Sequence, residues 1–200
     1  MEEGSITVSR LNQTVVFPAK TMIAAAMNPC KCGFFPDLGK CRCTPTQIRR
    51  DLNRVSGPFL DRVDIGVEVP RQDLGMMAAD KSIDEGSFPQ TEQRNSSAVM
   101  RARVMEARAR QEKRFADESI SYNSQMTRRQ IEEYCRLSGE EAVFLEKVER
   151  QQGISARGHG KILKVARTLA DLDGQAEIGR TQLAEAIGFR SFEKKYWGSL

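Results

Sequence analysis

Hydrophobic residues recur with two different periods along this chain, and the change of period divides it. Near the N-terminus the period is two. Ser5-Ile6-Thr7-Val8-Ser9 alternates polar and apolar, Asn12-Gln13 can turn, and Thr14-Val15-Val16-Phe17 returns, which predicts a β-hairpin. Thr21-Met22-Ile23-Ala24-Ala25-Ala26 is a short, almost wholly apolar run, as in a strand buried on both faces of a sheet; Asn28-Pro29 stops it too early for a helix. Thr44-Pro45 resembles a helix start with proline at the first helical position, and that helix runs through Ile48 and Leu52 to end before Gly57-Pro58. Val63 to Val69 alternates as a further strand, closed by Pro70. Residues 71–95 are polar, with Gly75, Gly86 and Pro89, and read as a linker or long exposed loop.

From about residue 96 the period becomes helical. Met100, Val104, Ala107, Gln111 and Phe115 form one stripe, bordered by Arg101 and Arg108 on one side and by Arg103, Arg110 and Arg114 on the other. Thr127 caps a short helix through Tyr134. Ser138 and Glu141 have capping-box spacing for a helix to about Arg150. Ser155 caps another, with the stripe Ile162, Val165, Ala166, Leu169 and Leu172, and Gly174 lies just past its end. A last helix covers Thr181 to Ile187. The expected organisation is a short β-containing piece at 1–70, a linker at 71–95 and a helical bundle at 96–200.

Composition sharpens this picture. The 200 residues are 40% apolar, 29% charged and 6% aromatic, which suits a helix-rich protein with a real core rather than an all-β one. No window approaches the roughly eighteen uninterrupted apolar residues of a membrane span, so no membrane partner is expected. The start, Met1-Glu2-Glu3-Gly4, has no apolar stretch behind it and does not read as a secretory signal, which leaves the cytoplasm as the default location. A net charge of +4 is too mild to imply nucleic acid by itself. The basic residues are nonetheless uneven: 101–114 holds Arg101, Arg103, Arg108, Arg110, Lys113 and Arg114 against Glu106 and Glu112.

Five cysteines are present, four of them within fourteen residues. An odd count without an export signal argues for metal binding or free thiols over disulfides. Cys30-Lys31-Cys32 and Cys41-Arg42-Cys43 are two C-x-C pairs, and a loop folding back between them brings four thiolates around one tetrahedral structural Zn2+. The plain alternative is a loop with incidental thiols. Cys135 reads as a small core residue. The single histidine, His159, has no evident carboxylate or cysteine partner in sequence and reads as exposed.

Three polar residues stand where nucleotide chemistry would use them. Asn28 follows the apolar run, where open α/β sheets place active-site groups, although Asn-Pro is also an ordinary turn. Arg62 lies between a helix and a strand, positioned to reach a transferring phosphoryl group or, more plainly, to pair with Asp61 or Asp64. Arg157 is in the first turn of a helix, where the helix N-terminus and a guanidinium both favour an anion; alone it is a solvated arginine.

In order along the chain, Ala24-Ala25-Ala26-Met27-Asn28-Pro29-Cys30, Cys41-Arg42-Cys43-Thr44-Pro45, Ser56-Gly57-Pro58-Phe59-Leu60-Asp61-Arg62-Val63-Asp64, Ser155-Ala156-Arg157 and Ile162 to Leu172 resemble the C-terminal half of the magnesium-chelatase-like AAA+ ATPases, in the YifB/ComM competence-protein branch. The resemblance covers almost the whole chain, and the cysteine-rich loop is its most specific element. It implies an α/β plus α fold. Residues 1–70 would be the C-terminal part of an AAA+ core, with a hairpin and two sheet strands, and 96–200 the helical lid. It also implies roles: Asn28 as sensor 1, Arg62 as the arginine finger acting on a neighbouring subunit, and Arg157 as sensor 2. ATP and Mg2+ are the implied cofactors and a homo-oligomeric ring, a hexamer, the implied assembly. DNA remodelling of the branch-migration type is the implied task, where the chelatase branch would insert magnesium into a porphyrin. Residues 3–18 would be a pore-facing hairpin, with Arg10 and Lys20 as its basic groups.

The chain departs from that pattern in two respects. A phosphate loop needs Gly-x-x-x-x-Gly-Lys-Ser/Thr, and Gly39-Lys40-Cys41 and Gly160-Lys161-Ile162 do not fit it. The metal-holding acidic pair after an apolar strand is also missing. The sequence therefore reads as truncated, and alone it is expected not to hydrolyse ATP. Two rivals stay open: a zinc-stapled nucleic-acid-binding module, drawing on the cysteines and the basic helix, and a purely structural oligomerisation domain.

Overall fold

Strands β1 (Ser5–Arg10) and β2 (Gln13–Pro18) pair antiparallel, with Ser5 opposite Pro18 and Arg10 opposite Gln13. The pairing sets Ile6 against Phe17 and Val8 against Val15, so the period-two pattern delivers one apolar face. That face is uncovered; Ile6 and Phe17 are both more than half exposed. The structure, a computed structural model, describes residues 4–11, 13–69 and 96–198. Asn12 of the expected turn, Pro70 and all of the expected linker, 71–95, lie outside the described residues.

Contacts divide the chain into two units, Met1–Asp51 and Leu52–Leu200. In the first, Thr21 to Asn28 is exposed and joins no sheet, which corrects the expected buried strand. A strand requires a neighbouring ladder, and β1 and β2, which already pair with each other, are the sheet among the described residues. The cysteine loop follows, and then α1 (Pro45–Leu52), whose start is a reciprocal cap: Gln47 N–H donates to Thr44 Oγ1 at 3.3 Å and Thr44 N–H to Gln47 Oε1 at 3.0 Å.

The second unit begins with a single helical turn, α2 (Gly57–Leu60), where proline stands in a first turn that needs no N–H from it. Residues 63–69, expected as a strand, pair with no strand among the described residues and bond instead to the helical unit, as Gly66 N–H does to Phe189 C=O at 2.9 Å. Then come α3 (Ser97–Arg114), a 3-10 turn (Asn123–Gln125), α4 (Arg128–Tyr134), α5 (Gly139–Gln152), α6 (Ala156–Leu172), α7 (Arg180–Gly188) and α8 (Ser191–Trp197). The caps at Thr127 and Ser155 form as expected, the latter accepting from Gly158 N–H at 3.1 Å. Ser138 makes no side-chain cap despite its spacing, and α8 carries no periodic apolar signal strong enough to announce it. Gly174, at φ +72°, ends α6 in the left-handed region, with Gln175 N–H returning to Ala170 C=O at 2.8 Å.

Helix α6 is the central element. Leu145, Ile162, Ala166, Ala170, Leu183 and Ala186 pack into one core, which Phe115, Met126 and Cys135 extend. Desolvation pushes the Cys135 thiol up to about 11, against the pull of Arg167 and Arg114, so it stays protonated and packs as a small apolar group. The stripe of α3 holds only in its C-terminal half: Ala107, Gln111 and Phe115 are buried, whereas Met100 and Val104 are exposed. Arg101, Arg103 and Arg108 remain exposed, but Arg110 and Arg114 turn inward. Arg114 bonds Asp171 through both nitrogens at 2.8 and 2.5 Å, Arg110 donates to Asp171 C=O at 2.9 Å, Arg103 lies 3.6 Å from Asp173, and Arg108 stacks 4.6 Å over Tyr122.

Candidate functional site

The cysteine cluster is built by two turns. Gly33, at φ +74°, lets its N–H return to Cys30 C=O at 3.0 Å, which closes the first C-x-C pair into a tight knuckle. Asp37 then reverses the chain, its carbonyl accepting from Cys41 N–H at 2.8 Å and its carboxylate from Gly39 N–H at 3.1 Å. The result gathers Cys30, Cys32, Cys41 and Cys43 with all four sulfurs within 4.8 Å of one another. The separations are 3.3 Å for Cys30 to Cys32, 3.5 Å for Cys32 to Cys41 and 3.8 Å for Cys30 to Cys41. Tetrahedral zinc with Zn–S near 2.3 Å sets its sulfurs about 3.8 Å apart, so this donor set fits zinc in number, type and spacing.

Electrostatics in the cluster favour the thiolate on one member. The backbone N–H of Phe34 draws the Cys32 thiol down to about 6; desolvation opposes it, and further hydrogen bonds from Arg42 N–H and the sulfurs of Cys30 and Cys43 assist. Cys41 moves the other way. The backbone of Cys43 favours its thiolate, but desolvation and the neighbouring Cys32 and Cys30 sulfurs together push it up to about 12. One thiolate crowds out the next unless a cation gathers them. All five cysteines are free thiols.

Asn28 stands exposed two residues before Cys30, in this same unit. Arg62 and Arg157 belong to the helical unit, where Asp61 brings their segments together. Asp61 Oδ2 accepts from Arg157 Nη1 at 3.0 Å and Asp61 Oδ1 from Ser155 Oγ at 3.0 Å, at the N-terminus of α6. Burial opposes ionisation of Asp61, yet the hydrogen bonds from Arg157 and Ser155 outweigh it and hold the carboxyl below its ordinary value. Arg62 does not pair with Asp61 or Asp64, the plain alternative of the sequence. Its Nη1 donates to Pro58 C=O at 2.7 Å, while Asp64 pairs with Lys161 at 2.8 Å.

Beside this patch is a pocket of about 110 Å3 lined by Asp61, Ser155, Arg190, Glu193 and Lys194 among others. Pockets that enclose a drug-sized molecule have some 300 to 1,000 Å3, so this one does not enclose a nucleotide by itself. Sequence reasoning named Asp61 only as a partner for Arg62 and missed Lys161 and Arg190 here. Lys161 carried one usable signal, since it lies one helical turn beyond Arg157; Arg190 carried none. His159 also differs from expectation: its Nδ1 lies 2.6 Å from Glu149 Oε1, a carboxylate on the preceding helix.

Sequence comparison places the chain in a family. Residues 1–77 match the model for magnesium chelatase, subunit ChlI, and residues 94–190 match that for the C-terminal part of the same subunit. Competence protein ComM of Haemophilus influenzae is 39% identical over 192 residues, covering 96% of this chain and 35% of that protein. An uncharacterized protein of Escherichia coli, YifB, is 38% identical over 194 residues, 97% of this chain and 35% of its own length. Rv2897c of Mycobacterium tuberculosis, also uncharacterized, is 30% identical over 190 residues. Two adjoining ChlI models thus define the class as magnesium-chelatase-like. Within that class the chain belongs to the ComM/YifB branch. It spans about a third of the length of the curated relatives it matches. Among the described residues no helix is long and apolar enough to cross a membrane.

Proposed function

We propose that this chain is the nucleotide-sensing portion of a ring-forming AAA+ ATPase, which hydrolyses ATP with Mg2+ when the full-length protein assembles. Family membership supports an ATPase of this class. The observation that carries the reading further is the Asp61 junction, which joins the segment of Arg62 to the helix start bearing Arg157. Arg62 is the arginine finger, offered to the nucleotide of a neighbouring subunit; Arg157 is sensor 2 and Asn28 sensor 1. Hydrolysis needs charge neutralised on the transferring phosphoryl group, and a guanidinium supplied across a boundary does this without further chemistry from the protein.

The four cysteines hold a structural Zn2+ in this proposal. Their cluster begins two residues after Asn28, so a bound metal fixes the backbone that presents sensor 1. The motor's work is DNA remodelling of the branch-migration type, for which the exposed hairpin with Arg10 is the nearest contact element. The test is steady-state ATP hydrolysis by the full-length hexamer. R62A is expected to lower kcat by about a thousandfold or more, the scale of arginine-finger loss. R157A is expected to raise KM for ATP. Wild-type kinetics, within a factor of about two, in both variants would contradict the proposal.

A further inference from the structure

The segment that carries Arg62 is fastened to the helical bundle along its length. Asp61 is held by Ser155 and Arg157. The carbonyl of Arg62 accepts from Lys161 Nζ, and the carboxylate of Asp64 pairs with the same ammonium at 2.8 Å. Val63 C=O accepts from Arg190 Nη1 at 2.7 Å, and Gly66 N–H donates to Phe189 C=O at 2.9 Å. Glu68 accepts from Lys195 at 2.6 and 2.7 Å and from the Tyr196 hydroxyl. The backbone groups among these, at Arg62, Val63 and Gly66, are ones a sheet neighbour would otherwise have met. Helices α6 to α8 meet them instead.

Lys161 stands out among these contacts. Its side chain is 13% exposed, yet the carboxylate it pairs with is 69% exposed. An ion pair with so open a partner adds little to the fold, and a carbonyl on an exposed segment can accept from water instead. What the ammonium contributes is location: it is one turn along α6 from Arg157 and holds the backbone at Arg62 itself. The guanidinium of Arg62 currently folds back on Pro58 C=O, and in extending it would pivot about that held carbonyl.

We infer that Lys161, with Arg190 beside it, is a positioning residue for Arg62, fixing the backbone from which the finger reaches and making finger and sensor 2 move as one body with α6. This rests on the proposed role of Arg62. It acts through Arg62 and touches no substrate.

The test is a kinetic cycle in the full-length protein with K161M, K161R, R62A and the double variant R62A/K161M. K161M is expected to lower kcat for ATP hydrolysis by about ten- to a hundredfold with KM for ATP nearly unchanged, because a misplaced group costs rate rather than substrate binding. K161R reaches the same carbonyl and is expected to restore most of the rate. In the R62A background, K161M is expected to add nothing. Thermal unfolding of K161M is expected within a few degrees of wild type. Full activity of K161M while R62A is inactive overturns the positioning role and leaves the ATPase reading standing. A further loss from K161M in the R62A background also overturns it, as does a K161M protein that melts far below wild type and is not rescued by K161R. Wild-type hydrolysis by R62A removes the parent reading and this inference together.

Discussion

Asp171 is fully buried, accepts both nitrogens of Arg114 and the amide of Asn123, and lies 3.2 Å from Arg167. Burial raises the cost of its charge, but the hydrogen bonds from Arg114 and Asn123 and the two guanidinium charges more than offset this and hold its carboxyl below the ordinary value. Replacing it leaves two arginines in the interior without their counter-ion. D171N is therefore expected to destabilise the helical unit by about 3 to 5 kcal/mol in urea unfolding at pH 7. The sign of the pH effect follows. A carboxyl whose folded pKa lies below its unfolded one stabilises at pH above about 4, and that contribution is lost as pH falls through the folded value. The stability gap between wild type and D171N should thus be constant near neutrality and shrink below about pH 4. A gap independent of pH down to 2 would show that the charge is not what holds the junction. The sequence grouped Arg103, Arg110 and Arg114 on one side of α3 but gave no reason to seek their partner on α6. Asp171 lies 57 residues from Arg114, and in a single sequence a buried charge looks like an exposed one.

At the scale of elements, local signals are legible in the sequence and non-local ones are not. The hairpin, α1, α4 and α6 begin or end where caps, turns and prolines put them. The expected strands at 21–26 and 63–69 do not form, because an apolar run or an alternating one describes the faces a strand would bury and says nothing of whether a neighbour is present. Gly66 shows what replaced the sheet. A Cβ at that position would sit 2.2 Å from the Phe192 ring, so the segment lies flush on α8 only because residue 66 has no side chain. G66A is expected to cost about 1 to 3 kcal/mol in the unfolding of the helical unit, and a neutral result would mean the segment is not seated there. The cysteine loop was the element read most directly, since two C-x-C pairs and a reversing turn are local features. Metal analysis is expected to find one zinc per chain, with C32S and C41S each losing it. Strong chelators are expected to raise amide exchange at 30–43 while leaving α6 protected. Substoichiometric metal in wild type, or retention by C32S, would count against the site.

On the scale of the whole molecule, the family was legible because its blocks fall in order along almost the whole chain, whereas the geometry between them was not. Arg62 and Arg157 were each ambiguous alone; Asp61, whose role no spacing rule marks, is what connects their segments. The central claim is that catalytic groups are shared across a ring boundary, with Asn28 serving the subunit's own nucleotide and Arg62 serving its neighbour's. Mixing tests this most directly. Full-length R62A and full-length N28A, each inactive alone, should regain ATP hydrolysis when co-assembled, because an R62A subunit followed by an N28A subunit completes one site. Random assembly restores about a quarter of the interfaces in a closed homo-oligomeric ring, so roughly a quarter of wild-type activity is expected. A mixture that assembles and stays as inactive as its parents would contradict the account.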